Sequence, residues 1–292
     1  MYIGIIVTHI RAEEKLLIEA FRAVGCEPDI ILDRDVCINL TEGATQIAPS
    51  GMSWQAYDLI IERCVSTSRG LYLLQILNAW GIMTINSYQT ASICADKAIT
   101  SLQLALHNIP QPEAYITFSE EQALNALEQV NYPAVIKPTV GSWGRLVSKV
   151  NDKETAETIL EHRQTLGNYL HQIHYIQEYV NKPQRDIRAF VLGNETICAI
   201  YRHSDHWITN TARGGKASNC PVTAELDDLC VRSAQAVGGG VLAIDILETE
   251  TGQYLVNEIN HTMEFRNSSI PTGVNIAHRM VEFAIAQVRV SI

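Results

Sequence analysis

Basic residues are scarce. The chain of 292 residues has 22 lysines and arginines against 32 aspartates and glutamates, a formal net charge of −10. That deficit argues against a nucleic-acid or anionic-membrane surface as the main partner. Long apolar runs are missing too, and no stretch approaches the roughly 20 residues needed to span a bilayer. The first apolar run, 2–7, lacks a basic leader. Arg11, Glu13, Glu14 and Lys15 follow it at once, as in an amphipathic helix rather than a secretory signal. The seven cysteines are odd in number and none forms a C-x-x-C pair. Zinc and redox spacings are thereby excluded, and a disulfide framework is not expected. Internal repeats and low-complexity segments are also absent. These absences leave a soluble, cytoplasmic, globular protein with buried thiols. It is long enough for one large domain or two to three small ones.

What is present alternates strand and helix signals. Compact apolar runs at 2–7, 28–32, 59–61 and 82–85 predict strands, with helices at 12–24 and 70–80 between them. Such alternation implies a parallel sheet covered on both faces. A doubly wound α/β domain is expected over 1–87. Helices around Ala91 and Leu102 lead to the breaker Ile109-Pro110-Gln111-Pro112. Strands at 114–117, 134–137 and 146–150 and helices at 120–130 and 152–166 place a central domain at 88–172. The remaining domain, 173–292, is richer in strand. It reads as strands at 173–179, 187–192 and 196–201, a helix at 224–237, strands at 241–248 and 254–259, and a closing helix from about Asn275. The fold class is α/β, becoming α+β toward the C-terminus.

The C-terminal hairpin is informative through arithmetic. A two-residue turn at Thr251-Gly252 pairs Glu250 with Gln253 and so places Asp245 opposite Glu258. Asn260 lies two residues further on, on the same face. Three hard oxygen donors without His or Cys suit Mg²⁺. An exposed cross-strand polar pair is the plainer alternative, although two like charges directly opposite repel without a cation.

Lys137 emerges from the apolar strand 134–137, where burial is costly unless an anion meets the ammonium. The following loop, 139–147, carries Gly141 and Gly144, whose backbone can approach phosphates closely. It fits neither the dinucleotide fingerprint nor the P-loop. Taken alone it reads more readily as an ordinary hairpin turn than as a phosphate cradle. Lys97, Arg185–Arg188, Arg202 and the 210–215 block are individually ordinary surface basic or polar residues. Together they place Arg, Lys and Asn where no apolar core needs them.

In this order, Asp96-Lys97, Val135-Ile136-Lys137-Pro138, the 141–147 loop, Ile176-Gln177-Glu178-Tyr179-Val180, Asp186-Ile187-Arg188, Asn210-Thr211-Ala212-Arg213-Gly214-Gly215, Asp245 and Glu258-Ile259-Asn260 resemble the ATP-grasp superfamily. Within it they resemble the RimK-like carboxylate–amine ligases. The blocks Ser66-Thr67-Ser68-Arg69-Gly70, 179–188, 206–215, Asn260-His261-Thr262-Met263-Glu264-Phe265 and Thr272-Gly273-Val274 are similar to ligases that load an amino-group carrier protein in lysine biosynthesis.

The resemblance implies an ATP-grasp fold with ATP between its central and C-terminal domains, and ATP and Mg²⁺ as cofactors. Lys97 and Lys137 would hold phosphates, and Gly141, Ser142, Trp143, Gly144, Arg145, Leu146 and Val147 would form a flap. Gln177, Glu178, Tyr179 and Val180 would form the adenine hinge, with Asp186 and Arg188 completing the nucleotide site. Asp245, Glu258 and Asn260 would bind Mg²⁺. Lys137, Arg188 and Arg213 would be catalytic. Arg202, Asn210, Arg213, Glu264, Phe265, Arg266, Asn267, Ser268 and Thr272 would face the substrates.

The implied reaction joins α-aminoadipate to the C-terminal glutamate side chain of a LysW-like carrier through an acyl phosphate. The alternatives are glutamate as the amine on the same carrier, a ribosomal protein as acceptor, or a non-catalytic nucleotide-binding regulator. A homo-oligomer is expected. Because such a carrier is acidic, docking would need a local basic face, with Arg63 and Arg69 as candidates.

Overall fold

The computed structural model describes residues 1–141, 144–167, 169–209 and 215–290, with the backbone alone at 169 and 170. Three sheets carry it. The first has the order β2-β1-β3-β4 and is wholly parallel. Its strands are β1 (Ile3–Val7), β2 (Asp29–Leu32), β3 (Leu59–Arg63) and β4 (Thr84–Ile85). Alternation along β1 divides its two faces. Ile3, Ile5 and Val7 pack with α1 (Ala12–Ala23) and the closing helix α9 (Ile276–Val290). Ile6 packs on the other side with Trp54 and with Leu73 and Leu77 of α2 (Thr67–Ala79).

Two helices lead to the second sheet: α3 (Tyr88–Ala95) and α4 (Lys97–Leu106). Asp96 caps α4, its carboxylate accepting from the backbone N–H groups of Ala98 and Ile99 at 2.8 and 3.2 Å. The cap makes Lys97 the first helical residue. The second sheet is antiparallel in the order β5-β8-β6-β7. It comprises β5 (Ala114–Thr117), β6 (Ala134–Lys137), β7 (Ser148–Val150) and β8 (His174–Glu178). Helices α5 (Glu120–Val130) and α6 (Lys153–Leu166) cover the face of Ala134, Ile136 and Ile176. Val135, Lys137, Tyr175 and Gln177 fall on the other face.

Two sequence expectations shift here. The strand near 173–179, grouped with the C-terminal part, pairs instead with β5 and β6. β7 starts at Ser148 rather than Leu146, because Leu146 has a φ of 58°, outside the extended region.

The third sheet, antiparallel β11-β10-β9-β12-β13, consists of β9 (Arg185–Leu192), β10 (Glu195–His203), β11 (Lys216–Cys220), β12 (Val241–Glu248) and β13 (Tyr254–Asn260). β11 gave no clear sequence signal. Helix α7 (Ala224–Ala236) packs on the face of Ile187, Ala189, Val191, Leu242 and Ile244. The opposite face changes character along its length. Phe190, Leu192, Ile200, Val241 and Ala243 join the core beneath the first sheet. Further along the same strands, the positions in register are Asp186, Arg188, Arg202 and Asp245.

Candidate active site

That ionic end of the third sheet faces the Lys137 side of the second. A cavity of about 830 Å³ lies between them, lined by Val135, Lys137, Gln177, Tyr179, Asp245 and Leu247 among others. Lys137 is 9% exposed. Its ammonium donates to two neutral oxygens, Gln177 Oε1 at 2.5 Å and Asn257 Oδ1 at 2.9 Å. Burial is the main cause that pushes it down to about 8, opposed by Glu258 and assisted by Lys97. A buried ammonium whose hydrogen-bond partners among the described residues are neutral fits an arriving anion.

Asp245 stands opposite Glu258, as the sequence arithmetic expected, but by a different route. The turn is one residue longer, with Thr249 N–H donating to Gln253 O at 2.9 Å. Glu248 therefore pairs with Tyr254, and a bulge between Asp245 and Ile246 restores the register. The extra residue, Asn257, supplies the acceptor for Lys137.

Asp245 is gripped by Arg188, Nε and Nη2 donating at 2.7 and 2.8 Å, and by Arg202 Nη2 at 3.2 Å. Burial disfavours its charge, but the two guanidiniums overcome this and hold the carboxyl well below the usual range. Arg202 also donates to both oxygens of Asp186 at 2.7 Å. Thr209 donates to Asp186 as well, and Lys182 stands 3.8 Å away. Asp186 thus orients Arg202, Thr209 and Lys182. Glu258 pairs with Lys97 at 3.3 Å, while Lys97 Nζ donates to the Gly141 carbonyl at 2.6 Å.

Gly141, Gly144, Arg145 and Val147 line the same cavity, as do Gln177, Glu178, Tyr179 and Val180. Leu146 is 65% exposed and does not. Tyr179 meets Trp207 edge-on at 6.1 Å and carries Lys149 over its ring at 3.6 Å. Ser142, Trp143, Asn210 and Arg213 lie outside the described residues.

A second cavity, about 1070 Å³, is lined by Arg11, Val65, Thr67, Lys97, Glu258, Asn260 and others. A third, about 430 Å³, is lined by Glu13, Arg188, Ile200, Arg202, Glu264, Arg266, Asn267 and Ser268. Two expected substrate residues face elsewhere. Phe265 is buried in the core between the first and third sheets. The Thr272 hydroxyl donates to Ser268 O at 2.6 Å within the short helix α8 (Ser269–Thr272). Arg63 is only 2% exposed. It cannot contribute to a basic docking face, whereas Arg69 remains largely exposed beside Asp33.

Sequence reasoning gave no site role to Lys182, Asn257, Thr209, Trp207, Arg11 or Glu13. Asn257 had no available signal, because its role follows from a bulge. Lys182, four residues before Asp186, could have been found by that spacing.

The cleft between two antiparallel sheets, with Lys137 on one wall and the paired Asp245 and Glu258 on the other, is an arrangement able to hold an anionic ligand. Residues 94–284 match the RimK-like ATP-grasp domain and residues 3–93 the LysX preATP-grasp domain. The chain belongs to the RimK-like ATP-grasp family of carbon–nitrogen ligases. It is 34% identical to the glutamate–LysW ligase ArgX of Sulfolobus acidocaldarius, over 97% of this chain and 98% of the relative. It is 36% identical to the α-aminoadipate–LysW ligase LysX of Saccharolobus solfataricus, over 96% and 99%. The crystal structure of a RimK domain ATP-grasp protein from Sphaerobacter thermophilus superposes with a TM-score of 0.80 at 26% identity, over 98% of this chain and 100% of that one.

Proposed function

We propose that the chain joins the amino group of α-aminoadipate to the terminal glutamate side chain of a LysW-like carrier, using ATP and Mg²⁺. The observation that carries the ligase reading is the buried Lys137 ammonium opposite the Asp245–Glu258 pair. The residues fit a divalent cation. Asp245 and Glu258 are paired across neighbouring strands, and Asn260 has a buried amide nitrogen without a partner among the described residues; a cation there would take over carboxylate oxygens now held by Arg188 and Lys97. Turning that amide over presents its oxygen instead. Bound at Asp245, Glu258 and Asn260, the cation would supply charge screening for phosphoryl transfer.

The remaining work falls to side chains. Lys97 and Lys137 hold phosphate oxygens, with Lys182 lining the same cavity. Arg188, paired here with Asp245, would offset the repulsion between the approaching carboxylate and phosphate once a cation takes up Asp245. The 141–147 loop shields the acyl phosphate from water while the amine displaces phosphate. The third cavity, lined by Arg188, Arg202, Glu264 and Arg266, is the place for the amino acid in this reading. Arg266 has no carboxylate partner among the described residues and would take its distal carboxylate.

Domain limits at 1–87, 88–172 and 173–292 remain part of this reading, with the strand at 174–178 assigned to the central sheet. Relatives with either amine are similarly identical, so the choice of α-aminoadipate over glutamate rests on the Thr272-Gly273-Val274 segment. One methylene is worth only about 1–3 kcal/mol in a pocket, so the expected preference is roughly 10-fold or more in kcat/KM. The test is product mass on the carrier with both amines in competition. Equal use of glutamate would leave the ligase reading and remove the lysine-pathway assignment.

A further inference from the structure

The wall of the amino-acid cavity is held from a distance of two hundred residues. Arg63, at the end of β3, donates through Nε to Glu14 Oε1 at 2.9 Å and through Nη1 to the Met263 carbonyl at 2.9 Å. Glu14 is fully buried and also takes Arg11, Nε and Nη2 donating at 3.0 and 2.9 Å. Arg11 Nη1 reaches back to Glu264 Oε1 at 3.7 Å. The five groups close a ring: Glu264, Arg11, Glu14, Arg63, Met263. Beside it, Glu13 accepts from the Arg266 backbone N–H at 3.4 Å and Thr262 donates to Glu62 at 3.2 Å. Thus α1 and β3 of the first sheet grip the segment 262–266 that leaves β13.

An arginine is costly to bury, and this one has a further buried nitrogen, Nη2, without a partner among the described residues. An apolar pair would serve packing as well. The forked guanidinium does something an apolar pair cannot, since it joins a carboxylate and a backbone carbonyl in fixed geometry. The carbonyl it fixes belongs to Met263, next to Glu264 and three residues before Arg266, both of which line the cavity.

We infer that Arg63 is a positioning residue for the amine pocket: by tying Met263 to Glu14 it sets Glu264 and Arg266, so the first sheet helps determine amine affinity. This deepens the ligase reading and rests on it. Arg63 lines none of the three cavities described above and is not catalytic.

The test compares Arg63→Lys, which keeps the charge but not the fork, with Arg63→Met and the double variant Glu14→Met/Arg63→Met. The amine KM should rise about 5-fold or more in all three. Nucleotide Kd, and kcat at saturating amine, should stay within about twofold. The double variant should regain thermal stability over Arg63→Met without regaining amine affinity. Amide exchange of 262–266 should quicken in Arg63→Lys, a readout that needs no turnover. An amine KM that recovers with stability in the double variant would reduce Arg63 to a structural role. So would unchanged exchange together with an unchanged KM. A wild-type chain that ligates no amine would remove the ligase reading instead, while the exchange result would still judge the clamp.

Discussion

Lys137 concentrates the chemistry of the cleft in one atom. Its neutral partners leave the ammonium the stronger for an anion, and burial sets it near 8 rather than 10.5. Nucleotide affinity should therefore weaken as pH rises through about 8, where the free site loses its proton. A guanidinium in place of this ammonium cannot titrate in that range, so calorimetric Kd values for Lys137→Arg should lose the dependence. Glu258→Gln tests the carboxylate pair more cleanly than Asp245→Asn, because the latter also strands Arg188, whereas Arg202 keeps Asp186. Turnover should fall roughly 10²-fold with the melting temperature little changed. Near-normal rates at saturating Mg²⁺ would count against the metal assignment. Lys137 was legible because a lysine ending an apolar strand demands an explanation. Asp186 was read as a nucleotide contact; it lines the Lys137 cavity and also orients Arg202, Thr209 and Lys182. No spacing rule separates those two roles.

At the scale of elements, most strands and helices were legible, since their periodicities and caps agree. Ser66, Asp96, Ser119, Asp152 and Thr223 each cap the helix that follows. The β12–β13 hairpin was only half legible. A longer turn and a bulge offset each other, leaving the Asp245–Glu258 pair as expected and every pair nearer the turn displaced. Bulges leave little trace in hydrophobic pattern. The packing of α2 on β3 depends on a small residue. A Cβ on Gly70 would lie 2.5 Å from Glu62 Oε1, which accepts the Cys64 N–H at 2.6 Å. Gly70→Ala should destabilise the chain by about 1–3 kcal/mol, read by denaturant unfolding.

Across the whole molecule, one asparagine joins the first and third sheets. Asn86 Nδ2 donates to the Val241 and His261 carbonyls at 2.8 and 2.7 Å, and its Oδ1 accepts the Val241 N–H at 2.6 Å. Asn86→Ala should cost about 2–4 kcal/mol by leaving those groups unsatisfied. Burial, with Arg63 nearby, pushes the adjacent His261 imidazole down to about 4 from 6.5. The unfolded chain therefore takes up this proton before the folded one. The stability His261 contributes is complete above about pH 6.5 and is lost as pH falls toward 4. The loss is on the order of 2 kcal/mol, reduced because the ring borders a cavity. His261→Asn should flatten that part of the stability profile in thermal melts.

The second sheet meets the rest of the chain differently. It has its own core between α5, α6 and the strands, whereas one continuous core runs through the first and third sheets. The chain enters it along β5 and leaves along β8, and Ala114 pairs with Gln177. Glu113 and Glu178 are also hydrogen-bonded to each other through both backbone and side chain. The two ends of the segment thus lie side by side, and the segment can be treated as a removable cassette. Replacing 114–177 with a short glycine–serine link should leave a remnant that still unfolds cooperatively and has lost its nucleotide affinity. Grafting the equivalent cassette from another ATP-grasp ligase should restore that affinity while the cavity proposed for the amine, lined from the other two sheets and their connections, keeps its original selectivity.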